Sequence, residues 1–327
     1  MSVELIQAVL LAFAVIVILM PAYIRFLKFM GMGKRILVEG PETHHAKEGT
    51  PTMGGLLLIA VVLGLFFFLK GGLPPGGIIA PLATLLLVGG LGAFDDYLNA
   101  KTGEGITVRQ KMLWLVVFAV AAAYQIQTTY AIDRIGVPFI GFVMIDPWIY
   151  IAFASFAIIA AANGVNITDG LDGLAGGTLV FAFIAFVLVA LLNEPTQPNL
   201  ATLCALIVGG LLGFLWFNVH PAQIFMGDSG SLALGATLAV TALITGQILI
   251  LPLVGLVFVI ETLSVVLQVA YFKATRGRRI FRMSPLHYHY ELMGWDEEKI
   301  TLRFWIVGII AGLIGVTLFL ASVNRLQ

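Results

Sequence analysis

Charge is scarce in this chain. Of its 327 residues only 11% are Asp, Glu, Lys or Arg, against 60% hydrophobic, and the mean hydropathy is +1.01. An ordinary soluble globular protein carries about a quarter charged residues and is excluded. No polar stretch reaches domain length either, so the whole chain, 1–327, reads as a single integral-membrane domain. Cysteine occurs once, at Cys204 inside an apolar run. That excludes an intrachain disulfide and favours packing over redox chemistry. A secretory leader is not expected either. No basic n-region precedes the first apolar run and no small-residue cleavage site follows it. Arg25 and Lys28 follow instead, as after an uncleaved first span. No internal repeat stands out.

What abounds is apolar sequence. Ten runs approach the roughly 20 residues that cross a bilayer: 4–24, 54–69, 77–97, 111–128, 147–162, 173–192, 199–217, 230–247, 249–272 and 303–323, the second and fifth being short. The expected fold is an all-α polytopic membrane protein of about ten transmembrane helices. The 36 glycines permit close helix packing. Residues 130–146 alternate apolar positions around a Gly-Val-Pro break and predict a small external hairpin.

Acidic and basic residues balance at 18 each, but the basic ones are unevenly placed. With ten spans, 15 of the 18 Lys and Arg follow odd-numbered spans; only Lys70, Arg134 and Arg325 fall on the other side. The positive-inside rule then puts both termini outside and the charged segments in the cytoplasm. All five histidines and most carboxylates share that cytoplasmic side, several of them at membrane edges.

The stretch "NGVNITDGLDGLAGG" (163–177) reads as a cytoplasmic loop entering span 6. Asp169 fits an N-cap with Asp172 in the first turn. Capping does not explain Asn163, Asn166 or the glycines, which admit close approach by a ligand. A helix N-terminus also attracts phosphate. Capping and ligand binding are compatible here. Asp95 and Asp96 read as the end of an apolar helix, where carboxylates oppose the macrodipole by roughly 0.3–1 kcal/mol each; a cation or a proton-accepting task would account for them. Asp228 in "FMGDSGS" is a helix cap or a ligand to hydrated Mg2+, which takes one or two carboxylates plus substrate phosphates. Phe225 before it is a packed aromatic or a stacking surface for a base. Thr50 and Thr52 around Pro51 are cap candidates, and Lys47 is a phosphate contact or a plain positive-inside lysine. His287 and His289 lack the partners of a zinc site and suit phosphate better. The basic loop 273–299 that carries them also fits an anchor on anionic lipid. Glu261 lies inside span 9, where a charge costs about 2.5–3.5 kcal/mol on insertion scales; it is expected to be protonated, paired or beside a groove.

Asp pairs, a Gly-Asp-Ser-Gly turn, His and Lys on one membrane face point to metal-assisted phosphoryl transfer. The ordered segments "GTPTMGG", "DDYL", "NGVNITDGLDGLAGG", "FMGDSGSLALG" and "PLHYHYELMGW" closely resemble the polyprenyl-phosphate N-acetylhexosamine-1-phosphate transferases. The likeness runs from about residue 25 to the last span and is nearest to the branch that makes lipid I. It implies transfer of phospho-N-acetylmuramoyl-pentapeptide from UDP-N-acetylmuramoyl-pentapeptide to undecaprenyl phosphate, with UMP released and Mg2+ as cofactor. This is the first membrane step of peptidoglycan synthesis. It further implies a multi-pass protein of the bacterial inner membrane with a cytoplasmic active site and both termini periplasmic. Membrane lipid is an expected partner, nucleic acid is not, and the resemblance leaves room for a homodimer.

By similarity Asp228 is the metal ligand, and Asp95, Asp96, Asp228 and His287 are the catalytic set. Asn163, Asn166, Asp169 and Asp172 match the nucleoside and sugar-phosphate pocket, and Gly170, Leu171 and Phe225 its uracil contacts. Lys47, Thr52, Lys111, Asn218, Gly227, Ser231, Gln268 and His289 align with further substrate-binding positions. The family usually has three consecutive histidines; here Tyr288 replaces the middle one. Two other readings stay open: a sister transferase using UDP-N-acetylglucosamine, and a polytopic transporter. The absence of an inverted repeat argues against the transporter.

Overall fold

The computed structural model describes residues 2–33, 47–74, 77–132, 134–137 and 141–323. Lys34, Arg35, Glu39, Glu42, His44, His45 and Arg325, which entered the charge reading, lie outside the described residues.

Twelve helices are described. The first four are α1 (Ser2–Phe29), α2 (Gly54–Lys70), α3 (Ile79–Thr102) and α4 (Val108–Tyr130). Then come α5 (Pro147–Thr168), α6 (Leu174–Leu192), α7 (Pro198–Asn218) and α8 (Gly227–Ile244). The last four are α9 (Leu251–Val254), α10 (Leu256–Ala274), α11 (Leu286–Glu291) and α12 (Glu297–Val323). Among the described residues nine of them are long and apolar enough to cross a membrane, and α2, at 17 residues, is a shorter apolar helix. This is an all-α polytopic membrane protein. The expected span 249–272 is in fact two helices, α9 and α10, broken at Gly255.

Local chemistry sets the helix ends. Thr107 and Gln110 form a reciprocal capping box at the start of α4. Asp146 accepts N–H bonds from Trp148 and Ile149 at the start of α5, with Pro147 in the first turn. The strands β1 (Arg134–Val137) and β2 (Gly141–Met144) pair antiparallel, Arg134 opposite Met144, as the expected hairpin between α4 and α5.

Helices α7 and α8 are enclosed on nearly every side and form the centre. Helices α1 and α6 pack on α7, α3 and α5 on α8, and α12 on α6. At Gly92 a Cβ would strike the backbone of Asp228 and Ser229, so the glycine lets α3 cross the start of α8 at backbone contact. Successive long helices run in alternate directions. The C-terminal ends of α3, α5, α7 and α10 therefore meet the N-terminal ends of α2, α4, α6, α8 and α12. The hairpin lies at the far end of α4, about 34 Å away for 23 residues at 1.5 Å each.

Candidate active site

Three clusters form at that shared end. The first joins α3, α4, α5 and α8. Lys111 Nζ, in the first turn of α4, lies 2.5 Å from Asp95 Oδ2 and 2.6 Å from Asp228 Oδ2. Asn166 Nδ2 donates to Asp228 Oδ1 (2.8 Å) and to Ser231 Oγ (2.9 Å). Asp95 Oδ1 also accepts the Ile106 N–H at 2.6 Å. Asp96 accepts the backbone N–H groups of Asp228 (3.0 Å) and Ser229 (3.1 Å). It therefore caps α8 from another helix, placing a carboxylate at the positive end of that macrodipole. Gly227 has φ +74, and a side chain there would collide with Asp96 and with Thr52 Oγ1. Asp95, Asp96, Lys111, Asn166, Gly227, Asp228, Ser231 and Thr52 are thus brought together.

The second cluster surrounds Asp172, whose side chain is almost wholly buried. Lys47 Nζ lies 2.8 Å from Asp172 Oδ1 and 2.6 Å from Glu297 Oε1. Asp172 Oδ2 accepts the Ala222 N–H (3.1 Å) and lies 2.9 Å from His220 Nδ1. His220 Nδ1 is also 3.3 Å from Glu297 Oε2. Asn218 spends its side chain on backbone: Gly173 N–H donates to its oxygen (3.1 Å), and its nitrogen donates to Ile224 O (2.9 Å). Leu171 packs with Leu174, Val257, Ile300 and Phe304.

The third cluster is the segment after α10. Gln268 Oε1 accepts Ile280 N–H and Phe281 N–H, both at 3.0 Å, while its nitrogen donates to Phe281 O at 3.1 Å. His289 Nδ1 accepts the Arg282 N–H at 3.1 Å. His287 is fully buried with its Nε2 against Gly170. Gly170 thereby joins this cluster to the 169–172 turn. Tyr288 packs edge-on to His287, ring centroids 4.2 Å apart. Burial pushes the Tyr288 phenol above its ordinary range, helped by Glu291, Asp169, Glu297 and Glu261. It remains a neutral hydroxyl at any physiological pH.

Several local expectations need correcting. Asp95 and Asp96 do not end a helix: α3 runs on to Thr102 and stops at Gly103, which takes the left-handed conformation. The macrodipole argument for them therefore falls away. The stretch 163–177 is not one loop. Its first six residues finish α5, Asp169 is the C-cap of that helix, and Gly173 precedes α6. Asn163 bonds back to Ile159 O within its own helix. Asp228 is not a cap; Met226 holds that position and offers no side-chain bond. Neither Thr50 nor Thr52 caps α2, because carbonyls of Phe225 and Met226 receive its first N–H groups. Phe225 is half-buried beside this contact.

Sequence reading missed His220 and Glu297 as partners of Asp172. Glu297 opens α12 within an acidic run, which looks like ordinary support for a helix N-terminus. His220 stands in "NVHPAQ" with no spacing to mark it. Asp172, His220 and Glu297 could together ligate a metal. Yet both side-chain oxygens of Asp172 are already taken by protein donors, and the mixed nitrogen and oxygen set is softer than Mg2+ prefers. The Asp95–Asp228 pair is all oxygen, and Asp228 is more open, with a cation already between the carboxylates. That donor set fits a hard divalent ion.

Fold and site together define a membrane-embedded transferase: residues 78–246, just over half of the chain, match the model of glycosyl transferase family 4. Residues 47–59 match the phospho-N-acetylmuramoyl-pentapeptide-transferase signature 1, and this segment carries Lys47 and Thr52. The chain is 42% identical over 324 residues to the phospho-N-acetylmuramoyl-pentapeptide-transferase of Chloroflexus aurantiacus, covering 94% of this chain and 88% of the relative. It is 42% identical over 316 residues to that of Listeria welshimeri (95% and 97%) and over 317 residues to that of Listeria monocytogenes (95% and 97%). The chain belongs to the phospho-N-acetylmuramoyl-pentapeptide-transferase family.

Proposed function

We propose that this enzyme transfers phospho-N-acetylmuramoyl-pentapeptide from UDP-N-acetylmuramoyl-pentapeptide to undecaprenyl phosphate. An oxygen of the lipid phosphate bonds to the phosphorus that carries the sugar. The bridging bond from that phosphorus to UMP breaks, and UMP leaves as lipid I forms. A phosphate monoester has its second pKa near 6, so the attacking oxygen is already ionised and direct attack needs no strong base.

The observation that carries this reading is the place of the signature segment. Lys47 reaches Asp172 and Glu297, and Thr52 reaches the Asp96–Gly227 contact, so one segment touches two of the three clusters. Asp228 and Asp95 would hold Mg2+, which supplies charge stabilisation for the departing phosphate. Lys111 adds a fixed cation beside them. Asn166 orients Asp228, and Asp96 fixes the α8 backbone on which Asp228 sits. Gly170 leaves room at the turn for the nucleotide, and His287 faces it.

The shared end of the bundle is cytoplasmic in this proposal, with the hairpin and both termini on the opposite side of the bacterial inner membrane. Cysteine labelling tests that directly, because the natural Cys204 is buried. An impermeant reagent added outside should label Gly136→Cys and spare Arg278→Cys; the reverse pattern overturns the orientation. The activity itself is tested by UMP release from purified protein with Mg2+ and undecaprenyl phosphate. Turnover is expected with UDP-N-acetylmuramoyl-pentapeptide. Turnover with UDP-N-acetylglucosamine alone would assign the chain to the sister reaction.

A further inference from the structure

Glu261 is a carboxylate with no exposure inside the membrane-spanning helix α10. Such a group persists only if its lone pairs are satisfied. Its Oε2 accepts the Leu286 N–H at 2.8 Å, and its Oε1 accepts the His287 N–H at 3.2 Å. These are the first N–H groups of α11, so Glu261 caps that short helix from below. Seven residues on along the same helix, Gln268 holds residues 280 and 281 by three bonds. Two side chains of α10 therefore fasten both ends of the 280–287 segment through its backbone, and the His287 ring is not needed to anchor it.

Glu261 Oε2 also lies 3.1 Å from His287 Nδ1. The spacing is that of an ion pair, though the ring lacks the alignment of a hydrogen bond, and neither ring nitrogen has a hydrogen-bond partner. The other nitrogen, Nε2, points at Gly170, where a side chain would overlap it.

We propose that Glu261 is a positioning residue for His287: it fixes the ring and keeps the proton on Nδ1, leaving Nε2 to face the substrate turn. The inference rests on the reading that His287 serves the transfer site. A carboxylate beside one imidazole nitrogen selects the tautomer and supports positive charge on the ring. A cap alone would require only the two backbone bonds.

Two variants of Glu261 test this. In Glu261→Gln the amide oxygen at the place of Oε2 still accepts the Leu286 N–H and still faces Nδ1, so the cap and the Nδ1–H tautomer survive while the negative charge is lost. Glu261→Leu removes the acceptor, and nothing on α10 then holds the proton on Nδ1. The measurement is 15N NMR of histidine-labelled protein in bilayers, with His287 assigned by the signal lost in His287→Ala. The expected result is a protonated Nδ1 in the wild type and in Glu261→Gln, and a loss of that single tautomer in Glu261→Leu. UMP release by Glu261→Leu should show kcat lower by about 10- to 100-fold with KM for the UDP-sugar held within about threefold, and Glu261→Gln should lose less. A bare Nδ1 in the wild type overturns the proposal without any variant. So does an unchanged tautomer in Glu261→Leu, or full kcat in Glu261→Leu. A fully active His287→Ala would instead overturn the placement of His287 in the site, and the NMR result distinguishes that case because it does not depend on turnover.

Discussion

Two lysines in this site do the same thing in different surroundings. Lys47 joins Asp172 to Glu297, and Lys111 joins Asp95 to Asp228, each at 2.5–2.8 Å. The Lys47 group is nearly sealed, with side-chain exposures of 13% for Lys47, 2% for Asp172 and 11% for Glu297. Every oxygen of Asp172 has a protein partner there. The Lys111 group is more open at two of its three members, 26% for the lysine and 23% for Asp228, with Asp95 at 7%. A sealed, saturated ion cluster fastens chain segments together: here α2's leading segment, the α5–α6 turn and the start of α12. An open one has oxygens that can exchange a lysine or solvent partner for a metal and a phosphate. The same charges thus divide between holding the site and serving it.

The sharpest way to break that division is Asp228→Asn. The amide keeps the size of the side chain and can still meet Asn166, so the fold should persist. Turnover should fall by about 100-fold or more, since about 2.7 kcal/mol or more of metal stabilisation is lost. UMP release above about a tenth of the wild-type rate would show that Asp228 is not the ligand.

Next in size is a stability contrast. Lys47→Met leaves two buried carboxylates facing each other without their cation, a situation that costs about 3–5 kcal/mol. Lys111→Met leaves Asp228 partly open to solvent and Asp95 still bonded to the Ile106 N–H, and should cost less. Thermal unfolding in one detergent should therefore show a clearly larger drop for Lys47→Met, and equal drops would erase the distinction.

The smallest effect expected is at Tyr288. Its buried phenol stays protonated, and in the proposed reaction Lys111 and the metal would meet the phosphate charge instead. Tyr288→Phe should keep UMP release within about tenfold, and the pH profile from about 6 to 9 should not move. Loss of activity in Tyr288→Phe together with an intact His287→Ala would invert the ranking of this segment.

The fold was largely legible because hydropathy reports membrane spans directly. Helix ends were less so. The apolar run of α3 stops near Asp95, but Leu98, Ala100 and Lys101 carry the helix on, and Gly103 halts it. Asp169 has the residue type of an N-cap and the position of a C-cap, because the turn to α6 needs Gly173 at φ +76. The members of the candidate site were legible as motifs, yet their bonding was not. Asp96 capping α8, Glu261 capping α11 and Glu297 meeting Lys47 all join residues 25 to 250 positions apart. No local spacing encodes such pairs.

Where the divalent ion binds decides whether the two lysine clusters differ as argued. Mn2+ can stand in for Mg2+ as a paramagnetic probe, titrated into purified protein and followed by electron paramagnetic resonance. Asp228→Asn should weaken binding by at least about tenfold, as expected for loss of a carboxylate ligand, while His220→Ala leaves it unchanged. Binding that survives Asp228→Asn and disappears in His220→Ala would put the ion at Asp172, His220 and Glu297, and contradict the account.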